Sequence, residues 1–585
     1  GWKFEGSASY QADTLSVVAD MLSNGTAGLM DLDLDQQMKW LGGGAATMPL
    51  AEYSAMIMIG YPKEGQTLDE VKALMLGEID KLKRGDFDES LIKAVVNNKK
   101  LQYYRTLESN DDRAYMMADA FITRKKWSDV VGELDRISGI TKQQIIDFAR
   151  RHFTDGYVVV YKRIGNDTTI KKIDKPEITA IPANRDLQSA FVKEITDSKV
   201  EPIQPKFVDF DKDLTKATTK NGLPVLYVKN TENGRFTLTY HFDFGGASDK
   251  WLPYAASYFD YLGTDKMTAE QLKQKFYSLA CSHGISIGTR AANIYVSGLA
   301  ENMTEAMALM DDLLANAQVD TAAYNKYVGV ELKSRADNKL DQGTNFSRLM
   351  QYGMYGEYNP ARNIPSSEEL KEMEPQRLVD MVKAFNGYKH TVLYYGPMEL
   401  NELIAAIDKH HKTAKTLVDA PKSRNYMMQQ TPVNEVYIAP YDAKNIYMVQ
   451  YHNEGRQWNP ANQPVVSLFN EYYGGGMNSV VFQELREARG LAYSAFADYG
   501  TPSYEGEPEY AYTYIISQND KMTDCIRTFN SILDTMPQSE KALGLAKQAL
   551  MKRLATARTT KEGIINAYLN AKDLGIDYSL SKKIY

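Results

Sequence analysis

The sequence predicts an α/β (α+β) chain of three repeated units, each a mixed, largely antiparallel sheet packed with helices. Three observations predict it. Residues 141–160 (TKQQIIDFARRHFTDGYVVV) and 374–394 (EPQRLVDMVKAFNGYKHTVLY) align with Ile145 on Leu378 and Asp147 on Asp380, 233 residues apart. Each reads as an amphipathic helix followed by an apolar strand. NGTAGLMDLDL (24–34) lies against GGMNSVVFQEL (475–485), with Leu34 on Leu485, 451 residues apart and about twice the first offset. A strand followed by an amphipathic helix recurs three times: YSAMIMIGYP then LDEVKALMLGEIDKLK, NIYVSGLA then MTEAMALMDDLLANA, and YAYTYIISQ then MTDCIRTFNSILDTM. The unit is too long for a solenoid repeat, so it is a domain.

Taken in order, the first copy spans 1–165 and opens at GWKFEG, already inside the pattern. Segment 166–210 is rich in Lys, Pro, Asp and Thr, and a linker is placed at 166–204. The next copy runs over 205–411. Its opening, NGLPVLYVKNTENGRFTLTYHFDFG (221–245), reads as a hairpin turning at Glu232-Asn233-Gly234. A second linker covers 412–432. The last copy, 433–585, stops before the equivalent of the TKQQIIDFARR helix and its closing strand. The chain therefore reads as part of a longer parent.

Composition narrows the function classes. The 585 residues are 43% hydrophobic and 24% charged, ordinary for a globular protein of three or four domains. Net charge is −7, so no basic excess favours nucleic acid. No apolar run is long enough to span a membrane, and no signal peptide begins the chain. The compartment stays open, with a periplasmic or other extracytoplasmic one included. Cys281 and Cys525 read as packed in helices, not as a disulfide. The alternation YAYTY reads as a half-buried strand face.

Residues 474–493 (GGGMNSVVFQELREARGLAY) carry the most chemistry. After three glycines, Asn478 or Ser479 caps a helix whose Val481, Phe482 and Leu485 face inward. Arg489-Gly490 ends it. Leu491, Tyr493 and Ala495 are expected on one face of the returning strand. Arg486 near the helix end and Tyr493 on the strand can then be aimed at one backbone carbonyl.

This stretch resembles the arginine–tyrosine element in the second half of the pitrilysin/insulinase-family zinc peptidases, the inverzincins, where the pair is likewise seven residues apart. That family is built from four such α/β units, two per half, joined by a long linker into a clamshell with the metallohydrolase-like fold of mitochondrial processing peptidase. The resemblance covers nearly the whole chain. It makes 1–165 most of the second unit, 205–411 the third and 433–585 a shortened fourth, with the first unit absent.

The resemblance implies zinc held by His-x-x-Glu-His on a helix of that first unit, with a distant Glu. Neither His-x-x-Glu-His nor His-Glu-x-x-His occurs here. The seven histidines show no metal-ligand spacing, and His410-His411 reads as a solvated helix end. In LPYAASYFDYLGT (252–264), counting back from Gly263-Thr264 puts Tyr254, Ser257 and Tyr258 at the zinc positions, and none suits zinc. No metal site and no cofactor is therefore expected in this chain, with zinc expected in the missing amino-terminal unit of the parent. The cluster WLGGGAA (40–46) reads, by resemblance, as a glycine strand at which Leu41, Gly42, Gly43 and Gly44 pair with the amino-terminal part of a peptide substrate. A glycine-rich loop is the plainer reading.

The implied function is the non-zinc, substrate-clamping portion of a zinc metalloendopeptidase acting in a closed two-half chamber. In the intact parent a zinc-bound water would attack the peptide carbonyl. Tyr493 would donate to the oxyanion and Arg486 would hold substrate carbonyls. The implied partners are a peptide and the missing zinc unit of the same parent. The alternative is a catalytically inactive structural or partner subunit of a peptidase-like complex. A two-domain solute-binding protein is disfavoured by the threefold repeat.

Overall fold

The computed structural model describes residues 1–165, 167–171, 173 and 189–585. Most of the 166–204 linker lies outside the described residues; its end carries a helix at 190–197. Three sheets organise the rest.

The first sheet joins β1 (Trp2–Glu5), β3 (Tyr53–Tyr61) and β2 (Gly42–Pro49), all antiparallel, in the order β1-β3-β2. Helices α1 (Gln11–Leu22), α2 (Leu68–Arg84), α3 (Ser90–Glu108), α4 (Asn110–Ile122) and α5 (Lys142–His152) accompany it. The cap signals are local. Thr67 with Glu70 and Thr141 with Gln144 form capping boxes at α2 and α5. Trp40 lies over the inner face of this sheet and explains two of its glycines. A Cβ on Gly43 would stand 2.5 Å from the Trp40 ring, and one on Gly60 2.5 Å from Val71.

The middle sheet has six strands: β4 (Thr215–Thr218), β5 (Pro224–Lys229), β6 (Arg235–Phe242), β7 (Cys281–Ile287), β8 (Ala292–Leu299) and β9 (Thr391–Gly396), in the order β4-β5-β9-β6-β8-β7. The expected hairpin across Glu232-Asn233-Gly234 is not formed. β9 enters between β5 and β6, parallel to β5 and antiparallel to β6, and the hairpin is β4–β5 instead. A turn signal marks where the chain reverses, and the later apolar strand decides which edges pair. Helices α6 (Leu252–Phe259), α7 (Ala269–Ser278), α8 (Met303–Asn316), α9 (Thr321–Asn338), α10 (Gln342–Tyr355), α11 (Pro375–Ala384) and α12 (Leu400–His410) follow in chain order around these strands.

The last sheet orders β10 (Asn445–Gln457), β12 (Pro508–Gln518) and β11 (Ser494–Gly500) as β10-β12-β11, antiparallel throughout. Its helices are α13 (Gln463–Tyr473), α14 (Met522–Asp534), α15 (Glu540–Thr556) and α16 (Glu562–Asp573). β1-β3-β2, β6-β8-β7 and β10-β12-β11 are thus one motif three times. The repeat also extends to the helices. α4, α10 and α16 stand at matching places, each following a long helix (α3, α9 and α15).

These matching helices are exchanged between copies. α10 lies on the last sheet, where Phe346 packs edge-on against Tyr447 and Tyr514. In return α16 lies on the middle sheet, where Ile565 packs with Leu226, Val228, Leu393 and Tyr395. That covering explains why β5 and β9 are apolar without alternation: both faces are buried.

Two local readings change. Cys281 opens β7 instead of lying in a helix; Cys525 is in α14, and both are buried and free. His411 is not a solvated helix end. It is buried, with Nε2 3.0 Å from His390 Nε2 and Nδ1 3.1 Å from Asp311, and Tyr240 stacks on its ring. His390 Nδ1 sits 2.9 Å from the Tyr388 carbonyl, so it donates there and Nε2 accepts from His411.

Two predictions follow from packing. Gly43→Ala forces a methyl into Trp40 and the Ile59 carbonyl, and should cost about 1–3 kcal/mol of unfolding free energy. A denaturation midpoint unchanged from the parent would refute that packing. Burial, then the neighbouring His411, depresses His390 to about 4. An unfolded histidine takes its proton near 6.5 and the folded one only near 4. Stability should therefore fall as pH drops from 6.5 to 4, by up to about 3 kcal/mol from this group. Denaturation curves of His390→Gln across that range should lack this component, and an NMR titration placing His390 near 6.5 would contradict it.

Candidate functional site

The Arg486/Tyr493 element is built by a short helix that widens. Ser479, not Asn478, caps it, accepting from the Phe482 N–H at 3.3 Å. One α-turn at Val480–Phe482 passes into a π-helical turn at Gln483–Glu487, closed by Ala488 N–H to the Gln483 carbonyl. Val481 and Leu485 are fully buried beneath it. Gly490, at φ +56°, ends the helix in the left-handed region. The same wide turn recurs at Asp31–Gln36, the segment that aligns with it at an offset of 451. π-turns are rare and concentrate at functional sites.

The strand reading needs one correction. β11 begins at Ser494, and Tyr493 precedes it, tied by its N–H to the Ile516 carbonyl. Ala495 and Ala497 point into the core, whereas Tyr493 is 80% exposed. Tyr493 and Ala495 therefore do not share a buried face, because the bend before the strand turns the ring outward. Arg486 is exposed too, its guanidinium 4.9 Å from the Phe482 ring centre. Among the described residues neither the Tyr493 hydroxyl nor the Arg486 guanidinium has a hydrogen-bond or ion-pair partner. Nearby Arg489 is different, being paired to Glu484.

Several residues beside this pair escaped the sequence reading. Phe482 was assigned to the core but is only half-buried and serves as a shelf for Arg486. Phe496 and Asp498, at period two along β11, share a face with Tyr514 and Tyr512 of β12. Phe496 stacks on Tyr514 at 5.1 Å, and burial raises the Asp498 carboxyl. The alternation FAD beside YAYTY was the available signal. At the far end of this face the Tyr510 ring lies over Gly500, where a Cβ would meet it at 2.2 Å.

Leu41 to Gly44 lie at the start of an edge. β2 pairs only with β3, from Gly42 on Tyr61 to Pro49 on Ser54, and Leu41 N–H bonds the Tyr61 carbonyl. The glycines are strand, not loop. β11 holds the same edge place in the last sheet. Within β2 the glycines are not equivalent, since Gly43 is pressed on Trp40 while Gly42 has open space at its Cβ.

The positions expected for zinc are otherwise occupied. Tyr258 is buried in the middle core, donating to the Asp320 carbonyl at 2.7 Å. Ser257 bonds back to the Pro253 carbonyl. The Tyr254 hydroxyl accepts from Arg335, which is also paired with Glu331 at 2.8 Å. Two phenols and a hydroxyl engaged in this way do not fit a zinc ion. Among the described residues no group of His, Cys, Asp and Glu is placed to hold a metal. Among the described residues no helix is long and apolar enough to cross a membrane.

Residues 380–550 match the family model described as Peptidase M16 inactive domain, a span that includes Arg486 and Tyr493. Uncharacterized zinc proteases of Mycobacterium bovis and Mycobacterium tuberculosis are each 23% identical over an alignment of 276 residues that covers 44% of this chain. The matched chain spans 59% of the length of these curated relatives. The periplasmic protease PqqL from Escherichia coli shares the fold with a TM-score of 0.54 at 11% identity, covering 98% of this chain and 66% of that one. The likeness to the M16 inactive domain is thus carried by residues 380–550, and the fold shared with PqqL extends over 98% of the chain.

Proposed function

We propose that residues 1–585 are the non-zinc, substrate-clamping portion of a zinc metalloendopeptidase of the pitrilysin/insulinase kind, which hydrolyses peptides in a closed two-half chamber. One observation carries the reading. An arginine and a tyrosine project from a helix end and the start of the adjoining strand, with no hydrogen-bond or ion-pair partner among the described residues. A tyrosine placed for stability would bury its ring and satisfy its hydroxyl. Tyr493 does neither, which suits a donor awaiting a ligand.

In this reading the zinc belongs to a unit outside these residues and supplies the activated water. The Tyr493 hydroxyl donates to the oxyanion that develops on the peptide carbonyl. The planar fork of Arg486 donates to neighbouring substrate carbonyls. The edge of β2 at Leu41, Gly42, Gly43 and Gly44 takes the amino-terminal part of the peptide as an added strand. The alternative role, an inactive structural or partner subunit, draws support from the filled zinc positions of the middle copy.

Residues 1–585 alone should hold no zinc and cleave no peptide. Metal analysis finding one tight zinc per chain, with chelator-sensitive cleavage, would overturn the reading. In the longer parent, cleavage should be abolished by a zinc chelator. There Tyr493→Phe should lower turnover by about 10²–10³, while unfolding free energy stays within about 1 kcal/mol, because the hydroxyl has no internal partner to lose. Arg486→Lys should also impair turnover, since lysine lacks the fork. A Tyr493→Phe parent with unaltered turnover would make the pair structural.

A further inference from the structure

β11 is an edge strand, paired with β12 alone. Ala495 and Ala497 point into the core, which sets Phe496 and Asp498 on the opposite face. Asp498 stands directly across from Tyr512, and Phe496 across from Tyr514. Phe496 meets Tyr512 edge-on at 5.8 Å, and Tyr512 stacks with Tyr510 at 6.2 Å. α10 covers the β10 side of this face, where Phe346 packs on Tyr447 and Tyr514, and leaves Phe496 exposed.

Asp498 has been left without a counter-charge. Among the described residues no cation and no hydrogen-bond donor is placed against it; burial alone acts on its carboxyl, and raises it. Glu509 of β12, fully buried, shows the ordinary outcome in this copy: Arg456 donates to it at 2.6 Å and Tyr499 at 2.9 Å. The middle copy lacks the arrangement. Its MTEAM (303–307) aligns with MTDCI (522–526), 219 residues on, which puts Asn293 at the place of Tyr512. Ser286 stands across from Asn293 as Asp498 stands across from Tyr512, and His241 Nδ1 donates to the Asn293 side-chain carbonyl at 2.8 Å. A carboxylate among rings therefore belongs to the copy that carries Arg486 and Tyr493, and not to the sheet motif itself.

We propose that Asp498, with the rings of Phe496, Tyr510 and Tyr512, takes a lysine or arginine side chain of the peptide substrate, an inference that rests on Arg486 and Tyr493 being the substrate pair. Its charge repels an acidic side chain. A neutral one would leave the carboxylate uncompensated, whereas an ammonium or guanidinium meets the carboxylate and the negative ring faces at once. Asp498 lies five residues beyond Tyr493, about 16 Å at roughly 3.3 Å per residue. A peptide extended along the open edge of β11 covers that distance in about four or five residues. With its amino-terminal part on β2, the stretch that reaches Asp498 is on the carboxyl side of the cleaved bond. Side chains of an added strand alternate, so one position there should face Asp498 and its two neighbours should not.

The test uses the longer parent and a peptide it cleaves at one bond, with lysine or glutamine set in turn at each position on the carboxyl side. At one position, about the fourth or fifth, lysine should lower KM about tenfold relative to glutamine with turnover little changed. Asp498→Asn should abolish the difference, and Asp498→Lys should reverse it, so that glutamate becomes the preferred residue there. Asp498→Cys should react with a maleimide in the free parent and be protected by the lysine peptide. Asp498 is only half-buried, so unchanged melting should show that these variants fold. Suppose lysine and glutamine peptides are cleaved alike by a parent whose turnover still falls in Tyr493→Phe. That result would overturn this inference and leave the substrate pair standing. So would an Asp498→Cys that the rest of the parent shields with no peptide present. A Tyr493→Phe parent with unaltered turnover would remove both.

Discussion

Arg235 is the point on which the placement of the parts depends. It is the first residue of β6, and its side chain is nearly inaccessible. Its fork donates to both oxygens of Glu108, the last residue of α3, at 3.2 and 3.1 Å. Glu562, which opens α16, lies 3.7 Å away and also accepts from Thr237. Lys561 closes the group, donating to the Glu108 carbonyl at 2.6 Å while holding a left-handed φ of +60°. Burial alone would raise the Glu108 carboxyl; the Arg235 fork, the Asn233 amide and Lys561 together outweigh it and hold the carboxyl below its ordinary value. A charge pair this buried tolerates no missing partner, because the survivor would be left uncompensated in an apolar setting. The first copy, the middle sheet and α16 therefore meet at one set of charges. Since α4 starts two residues after Glu108, the same pair aims α4.

The exchange of α10 and α16 then decides which surfaces remain for function. Where an exchanged helix lies on a sheet, a ligand cannot lie there too. What stays open is the strand edges and the helix ends that border them. Arg486 and Tyr493 occur at such a border, where β11 begins, and Leu41 to Gly44 occur where β2 begins. Leu41 and Tyr493 both follow a π-helical turn, and Arg486 lies within one. An extra residue in a turn rotates what comes after it, so a side chain that would point along the helix is redirected toward the strand edge. The repeated wide turn is a shared device for presenting an edge, furnished with glycine in one copy and with arginine and tyrosine in another.

Much of the fold was legible because its signals are local. Thr67 with Glu70, Thr141 with Gln144 and Gly490 mark helix ends through contacts within four residues. The alternation of Tyr510, Tyr512 and Tyr514 marks β12 because period two survives whenever one sheet face is the more buried. What stayed illegible depends on distant residues. The insertion of β9 between β5 and β6 joins segments some 160 residues apart, and no turn residue at 232–234 announces it. His411 looked solvated because its partners, Asp311 and His390, come from other elements. Tyr493 was assigned to a strand face because periodicity cannot show the bend that precedes Ser494. The candidate pair itself was visible in sequence, whereas the Phe482 shelf was not, since a half-buried phenylalanine reads as core.

The middle copy shows what a free polar group in this fold ordinarily becomes. Tyr254, at a position where the family resemblance expects a metal ligand, accepts from Arg335, and Arg335 is shared with Glu331 and the Pro365 carbonyl. Tyr254 and Tyr258 have been drawn into ties between α6 and the start and end of α9, and Ser257 back onto its own helix. Arg486 has been kept out of any such tie. It rests on the Phe482 ring, a contact that orients a guanidinium while using none of its N–H donors. Glu484, two residues before it, pairs with Arg489 instead. An arginine held in direction but not in hydrogen bonding gains most when carbonyl or carboxylate oxygens arrive from outside, since its donors need shed only water to meet them. The chemistry of the site thus lies as much in what the neighbours of Arg486 decline to bond as in the arginine itself.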